Sequence, residues 1–288
     1  MESITATGCI LANQINEAIP PEGSLSFWWL GQSGFVLKSP TLTLVSDPYL
    51  STTLEEATKD QREKRHVRMM DIPLFGDQLL QVDYLLISHN HRDHYDRATV
   101  AAILSTNPRC TLIAPRVMEA QLRREHHCSL VAMDHGTTWR DGAVHIEALK
   151  AKHNQYDHTP EGGYPYLSYG IEVDGRKVFF AGDTIPHAPL DTFLRQWAAD
   201  LAFLPINGCT EELLAKGFAS NLSYQEAIAL SSSSHVRWTV PCHYDMFTIN
   251  TEQVGKFVNE ANRVGLPYIV PTIGQEFTLD GEGGMRWK

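Results

Sequence analysis

The chain has 288 residues, 43% hydrophobic and 20% charged, with 24 Lys and Arg against 34 Asp and Glu and a formal charge of −10. This composition excludes a disordered, collagenous or low-complexity protein and leaves room for a well-buried core. The acidic balance opposes general nucleic-acid binding, which needs a positive face, and no apolar run reaches the roughly 18–20 residues of a membrane span, so neither nucleic acid nor membrane is an expected partner.

Residues 1–18 lack a basic region followed by an apolar stretch, so no secretory signal is read there. The five cysteines, Cys9, Cys110, Cys128, Cys209 and Cys242, are odd in number and form no CxxC pair. They predict no disulfide framework and a reducing, cytoplasmic location. Residues 25–38 read as strand, rich in aromatic and β-branched residues and interrupted by Gly31 and Gly34. A second strand covers 41–45 and ends at Asp47-Pro48. The charged stretch 51–70 reads as helix or loop. The wholly apolar run 84–87 suits a strand buried on both faces. A helix is expected over 95–104, a strand over 111–114 and a helix over 116–126.

After the Asp141-Gly142 turn, 143–148 reads as strand. Segments 167–173 and 177–181 flank Asp174-Gly175, a hairpin signal. A helix over 190–198 and a strand over 201–204 follow. Helix 223–232 opens on Ser223 with Glu226 three residues later, the pattern of a capping box. A strand over 237–240, a helix over 251–264 and a strand over 268–270 complete the reading. No linker-like break and no fixed-period repeat is seen, so one domain over 1–288 is expected. The mixture, hairpins early and crossovers later, predicts an α/β fold of mixed sheets covered by helices.

Thirteen histidines are unevenly spread. His89-Asn90-His91-Arg92-Asp93-His94 directly follows the strand 84–87 and offers four ligands within six residues. Imidazole and carboxylate suit zinc, manganese or iron. In such a turn alternate side chains converge on one point while their neighbours face another, so a single loop can feed two metals. His153, Asp183 and His243 each follow a predicted strand, at the carboxyl ends where metals and substrates gather.

The order HxHxDH, His, Asp, His resembles the metallo-β-lactamase-fold hydrolases. Trp29-Leu30-Gly31-Gln32-Ser33-Gly34 and Ser46-Asp47-Pro48-Tyr49 are similar as well. Within that superfamily the chain looks most like the L-ascorbate-6-phosphate lactonases. The shared segments are Trp28-Trp29-Leu30-Gly31, Leu204-Pro205-Ile206-Asn207-Gly208, Pro241-Cys242-His243-Tyr244-Asp245 and Ile273-Gly274-Gln275-Glu276-Phe277. The resemblance implies an αββα sandwich of two mixed β-sheets flanked by helices, with two divalent metal ions (Mn2+, Zn2+ or Fe) at the sheet edge. His89, His91 and His153 would bind one, Asp93, His94 and His243 the other, and Asp183 both. It also implies assembly into homo-oligomers.

Two cations about 3.5–4 Å apart can hold a hydroxide as nucleophile and polarise a carbonyl or phosphoryl group. Asp93 would steer the water or take its proton, and His187 or His158 would donate to the leaving oxygen. Asn207, Gly208 and Tyr244 are candidates to line the substrate pocket. Arg62, Arg65 and Arg68 would share one face if helical, and Arg62 and Arg65 are candidates to grip a substrate phosphate. Cys209 and Cys242 read as spectators. The expected activity is hydrolysis of a small anionic lactone of a phosphorylated sugar acid. The rivals are a phosphodiesterase, a non-enzymatic metal-binding protein and redox chemistry at a di-iron site.

Overall fold

The computed structural model describes residues 2–160 and 162–288, with side chains from residue 8 onward. Helix α1 (Glu2–Glu17) precedes the hairpin of β1 (Leu25–Gly31) and β2 (Gly34–Lys38), and β3 (Thr43–Ser46) adds antiparallel to β2. After α2 (Thr53–Thr58) come β4 (Tyr84–Leu86), α3 (Arg97–Thr106), β5 (Thr111–Pro115), α4 (Glu119–Glu125) and β6 (Ser129–Met133); strands β3 to β6 run parallel. The plan then repeats. Strands β7 (Thr138–Asp141), β8 (Val144–Lys150), β9 (Leu167–Val173) and β10 (Arg176–Phe180) are antiparallel. Next come α5 (Ala188–Trp197), β11 (Leu201–Pro205), α6 (Glu211–Ala215), α7 (Tyr224–Ser233) and β12 (Trp238–Cys242), with β10 to β12 parallel. Helix α8 (Val254–Val264) and the hairpin of β13 (Phe277–Leu279) and β14 (Met285–Trp287) follow. The eight-stranded sheet has the order β14-β13-β1-β2-β3-β4-β5-β6 and the six-stranded sheet the order β12-β11-β10-β9-β8-β7.

The two sheets pack face to face. Phe27 and Trp29 of β1 point between them, while Trp28 and Leu30 point outward under α1 and α3. Burial on both faces explains why this strand shows no alternation. Phe35 and Phe203, with ring centroids 4.0 Å apart, join the layers. Leu11 and Ile15 of α1, Val100 and Ile103 of α3 and Leu122 of α4 cover the first sheet. Leu194 and Trp197 of α5, Ile228 of α7 and Phe257 of α8 cover the second. Gly170 in β9 admits the Trp197 ring, which a Cβ there would meet at 2.8 Å. Each fully buried large apolar side chain contributes about 1.5–3 kcal/mol. Two mixed sheets between helices make the expected αββα sandwich.

Several elements differ from the sequence reading. Residues 25–38 form a hairpin, turned at Gln32 with φ +50°. Helix α1, edge strands β6 and β7 and the hairpin β13–β14 were not anticipated. The segment 268–270 makes only one parallel bridge, Thr239 to Tyr268, because Pro267 and Pro271 bracket it and supply no N–H donors. The capping box forms: Glu226 N donates to Ser223 Oγ (3.3 Å) and Ser223 N to Glu226 Oε2 (2.9 Å).

Candidate metal centre

Four strand ends supply the site. The turn after β4 carries His89, His91, Asp93 and His94, and the segments after β8, β10 and β12 carry His153, Asp183 and His243. Gly182, with φ +58°, lets the last two residues before Asp183 turn against Ser88, whose Cβ a methyl there would meet at 2.8 Å. Ligand atoms of His89, His91, His153 and Asp183 lie within 4.8 Å of one another, and so do those of Asp93, His94 and His243. Asp183 stands between the groups. Its Oδ2 is 3.6 Å from His153 Nε2 and 3.5 Å from His243 Nε2, and its Oδ1 is 3.2 Å from His94 Nε2. His89, His94, His153, Asp183 and His243 are buried, whereas His91 and Asp93 are partly exposed and mark the open side.

The outer nitrogens of three imidazoles are fixed. His94 Nδ1 donates to Asp47 Oδ2 (2.6 Å), and His153 Nδ1 donates to the Ser220 carbonyl (3.0 Å). Ser88 Oγ donates its proton to Asp47 Oδ2, so it accepts from His89 Nδ1 (2.9 Å). Protons on Nδ1 leave lone pairs on Nε2, the tautomer that binds a cation. His89 Nε2 is buried with no hydrogen-bond partner among the described residues, and His94 Nε2 and Asp183 Oδ1, equally buried, have only each other at 3.2 Å. An unpaired buried polar atom costs about 1–3 kcal/mol, so two imidazole nitrogens gathered beside one buried carboxylate fit a divalent cation. The imidazole and carboxylate donor set suits zinc, manganese and iron. Left-handed backbone at non-glycine residues gathers here too, at Gln32 (φ +50°), Asp47 (+35°) and His243 (+59°), and such strain concentrates at functional sites.

The electrostatics describe the site without a cation. Burial, with His94 and His91 nearby, holds His89 well below the usual imidazole value. Burial opposes charge on His94 and His243, yet neighbouring carboxylates prevail. Asp183, Asp93 and Asp47 lift His94 well above its ordinary value, and Asp183 and Asp93 lift His243 to about 9. Burial would raise both carboxyls, but His94 and His243 hold Asp93 and Asp183 well below the carboxylate range.

The remaining sequence candidates have other surroundings. His187 Nδ1 accepts from Tyr156 OH (2.9 Å) and caps α5 through Leu190 N (3.3 Å). Burial and the charges of Lys152, Lys150 and His135 push it down to about 4, so its neighbours are basic groups rather than Asp93 or Asp183. His158 is exposed against Tyr164. Tyr244 is a correction: it is 3% exposed, stacks on Trp29 at 4.9 Å and donates to the Pro271 carbonyl, so it packs and does not line a pocket. The Asn207 amide is a second correction: it donates to Asn250 Oδ1 and accepts from Asn221 Nδ2, bracing the loop that carries Ser220. Gly208 turns with φ +57° against Ser223. Arg62 and Arg65 share no helical face with Arg68, because α2 ends at Thr58, and both are exposed. Arg68 is spent internally, on the Ser51 and Met70 carbonyls and the Tyr49 ring. Sequence reasoning missed Asp47, Ser88 and Ser220 as anchors, Gln32, which donates to Asp93 Oδ2 at 2.7 Å, and Tyr166, 3.4 Å from His91 Nε2. Asp47 and Gln32 lay in segments already noted for resemblance; nothing in the sequence marked the other three.

Comparison with known proteins agrees with this architecture. A UPF0173 metal-dependent hydrolase of Nitratidesulfovibrio vulgaris is 24% identical over 259 residues, 88% of this chain and 94% of the relative. The structure of Igni18, a metallo hydrolase from Ignicoccus hospitalis, matches with a TM-score of 0.66 at 20% identity, covering 89% of this chain and 99% of that one. An isothiocyanate hydrolase from Delia radicum gut bacteria matches with a TM-score of 0.69 at 15% identity, covering 87% and 97%. No helix among the described residues is long and apolar enough to cross a membrane. The model of the beta-lactamase superfamily domain matches residues 47–244, from the Asp47 anchor to just past His243, and the chain belongs to that superfamily as a metal-dependent hydrolase.

Proposed function

We propose that this protein hydrolyses the ring ester of a small anionic lactone, with a phosphorylated sugar acid as the substrate class. The carrying observation is the pair of ligand groups sharing Asp183 at a rim that opens beside His91 and Asp93. The resemblance to ascorbate-6-phosphate lactonases supports the ring ester. The anionic preference is supported by Lys150 and Lys152 on the segment leading to His153, whose ammonium groups lie over the Tyr156 ring at 4.7 and 5.7 Å.

In this reading His89, His91, His153 and Asp183 would hold one divalent cation, and Asp93, His94 and His243, beside Asp183, would hold a second. Cations bound there would supply acidification of a water, whose pKa a bound metal can bring from 15.7 to about 7, and polarisation of the ester carbonyl. Asp93, steadied by Gln32, orients the attacking water at the open side and accepts its proton. Asp47, Ser88 and Ser220 keep the imidazoles aimed. Burial, Asp157 and Asp183 raise the Tyr166 phenol, so it keeps its proton and serves as a donor beside His91. The test is a panel of phosphorylated and neutral sugar lactones against bis(p-nitrophenyl) phosphate, run with zinc- and manganese-loaded protein. Lactone turnover in excess of diester turnover is expected. Diester cleavage without lactone turnover rejects the proposal, and a loaded protein inert on both favours a binding role.

A further inference from the structure

One histidine outside the candidate ligand set packs between the loops that follow His243 and precede Ser220. The segment carrying His66 is clamped to the chain that follows His243: Met69 N donates to the Met246 carbonyl (2.8 Å), Thr248 N to the Val67 carbonyl (3.0 Å), and Arg68 bridges Phe247. His66 N donates to Thr58 Oγ1 (3.0 Å), which fixes the start of the segment. The His66 ring meets Phe247 edge-on at 5.1 Å and Phe218 at 5.7 Å. Phe247 lies four residues after His243, and Phe218 two residues before Ser220, the anchor of His153. The ring therefore spans the gap between the loops that place His153 and His243. The charges of Asp93 and His243 reach it.

The tautomer is legible. His66 Nδ1 lies 2.8 Å from the Lys64 carbonyl, which only accepts, so the neutral ring carries its proton on Nδ1. Nε2 is left as an acceptor with no protein partner among the described residues. Burial lowers the imidazole below its ordinary value, in keeping with a neutral ring.

We propose that His66 is a substrate-recognition residue whose Nε2 accepts a hydrogen bond from a hydroxyl of the substrate, so that the site selects polyhydroxylated acyl groups over plain ones. This rests on the lactone reading and sharpens it to polyols. The activity test compares wild type with His66→Phe, which keeps the ring packing, and His66→Gln, which restores an acceptor, on D-glucono-δ-lactone and δ-valerolactone. His66→Phe should lower kcat/KM for the gluconolactone about tenfold, leave valerolactone within twofold, and be partly rescued by His66→Gln, with zinc content unchanged. Equal losses on both lactones, or no loss on either, overturn the proposal. A second measurement stands apart from lactone turnover: 15N spectra of the zinc-loaded protein should show the Nδ1-protonated tautomer at His66 and a shift on adding gluconate. The Nε2-protonated tautomer, or no response to gluconate, overturns the assignment even if lactones are hydrolysed. A normal response with no lactone turnover leaves His66 as a polyol contact and rejects the lactonase reading alone.

Discussion

The two sheets contribute to the metal centre in different ways. The first supplies four candidate ligands from one turn, His89 to His94, backed by Asp47 at the adjoining end of β3. The second supplies three candidate ligands one at a time, from the ends of β8, β10 and β12. The first arrangement is local, so its geometry is set by one loop and one buried carboxylate. The second is distributed, so His153, Asp183 and His243 meet only when β8 to β12 are in register. The local half should tolerate loss of an anchor with a graded loss of affinity, whereas the distributed half should fail outright when the residue joining both groups is lost.

The largest expected effect tests that contrast directly. Asp183→Ala removes the carboxylate that stands 3.2–3.6 Å from His94, His153 and His243. Metal content and activity should fall together to background, measured by elemental analysis and kcat/KM. Asp47→Asn keeps the shape of the anchor but weakens its hold on His94 and Ser88. Metal affinity should drop about 10–100-fold, the usual cost of losing an orienting partner, while excess metal restores most activity. Full metal occupancy in Asp183→Ala breaks the comparison, as does irreversible metal loss in Asp47→Asn.

A smaller effect follows from the charges. With metal removed, His243 has a folded value of about 9 against about 6.5 unfolded. A raised folded value stabilises fully below the unfolded value and is lost as pH climbs through the folded one. The chelator-treated protein should therefore lose stability between pH 6.5 and 9, by a few kcal/mol at most, and its Tm should fall in that window. His94, raised in the same direction, adds to the trend. Metal binding must displace these protons, so zinc affinity should rise over the same range. Calorimetry in buffers of different ionisation enthalpy reads the proton release. A flat Tm for the metal-free protein contradicts the imidazolium–carboxylate pairing.

The same contrast explains what was legible in the sequence. Candidate ligands one or two residues apart after an apolar strand can be picked out directly, and Asp183 and His243 follow strands buried on both faces. Asp47 could not be assigned a role, because its partners His94 and Ser88 are more than 40 residues away and only the pairing of β3 with β4 brings them close. Edge strands hid for a different reason. Strand β7 is Thr-Trp-Arg-Asp and β14 is Met-Arg-Trp, both largely exposed, so neither shows a buried stripe. The α1 stripe of Leu11, Ala12 and Ile15 is short, and its partner surface belongs to strands far along the chain. His187 follows Asp183 by only four residues, but the chain turns there into α5 and carries the ring to Tyr156.

The smallest expected effect concerns the basic run. Arg62, Arg65 and Arg68 could grip one phosphate only if a helix aligned them, and α2 stops at Thr58. Arg68 is held by two carbonyls and the Tyr49 ring, while Arg62 and Arg65 stand in solvent, where a long cationic side chain is screened and costs entropy to immobilise. The double variant Arg62→Ala/Arg65→Ala should keep KM for phosphorylated substrates within twofold of wild type, whereas Lys152→Ala, altering the segment that leads to His153, should raise it more than the pair. A selective rise of KM for phosphorylated compounds in the double arginine variant would return phosphate recognition to the first half of the chain. It would also show that Arg62 and Arg65 reach the substrate although both stand in solvent.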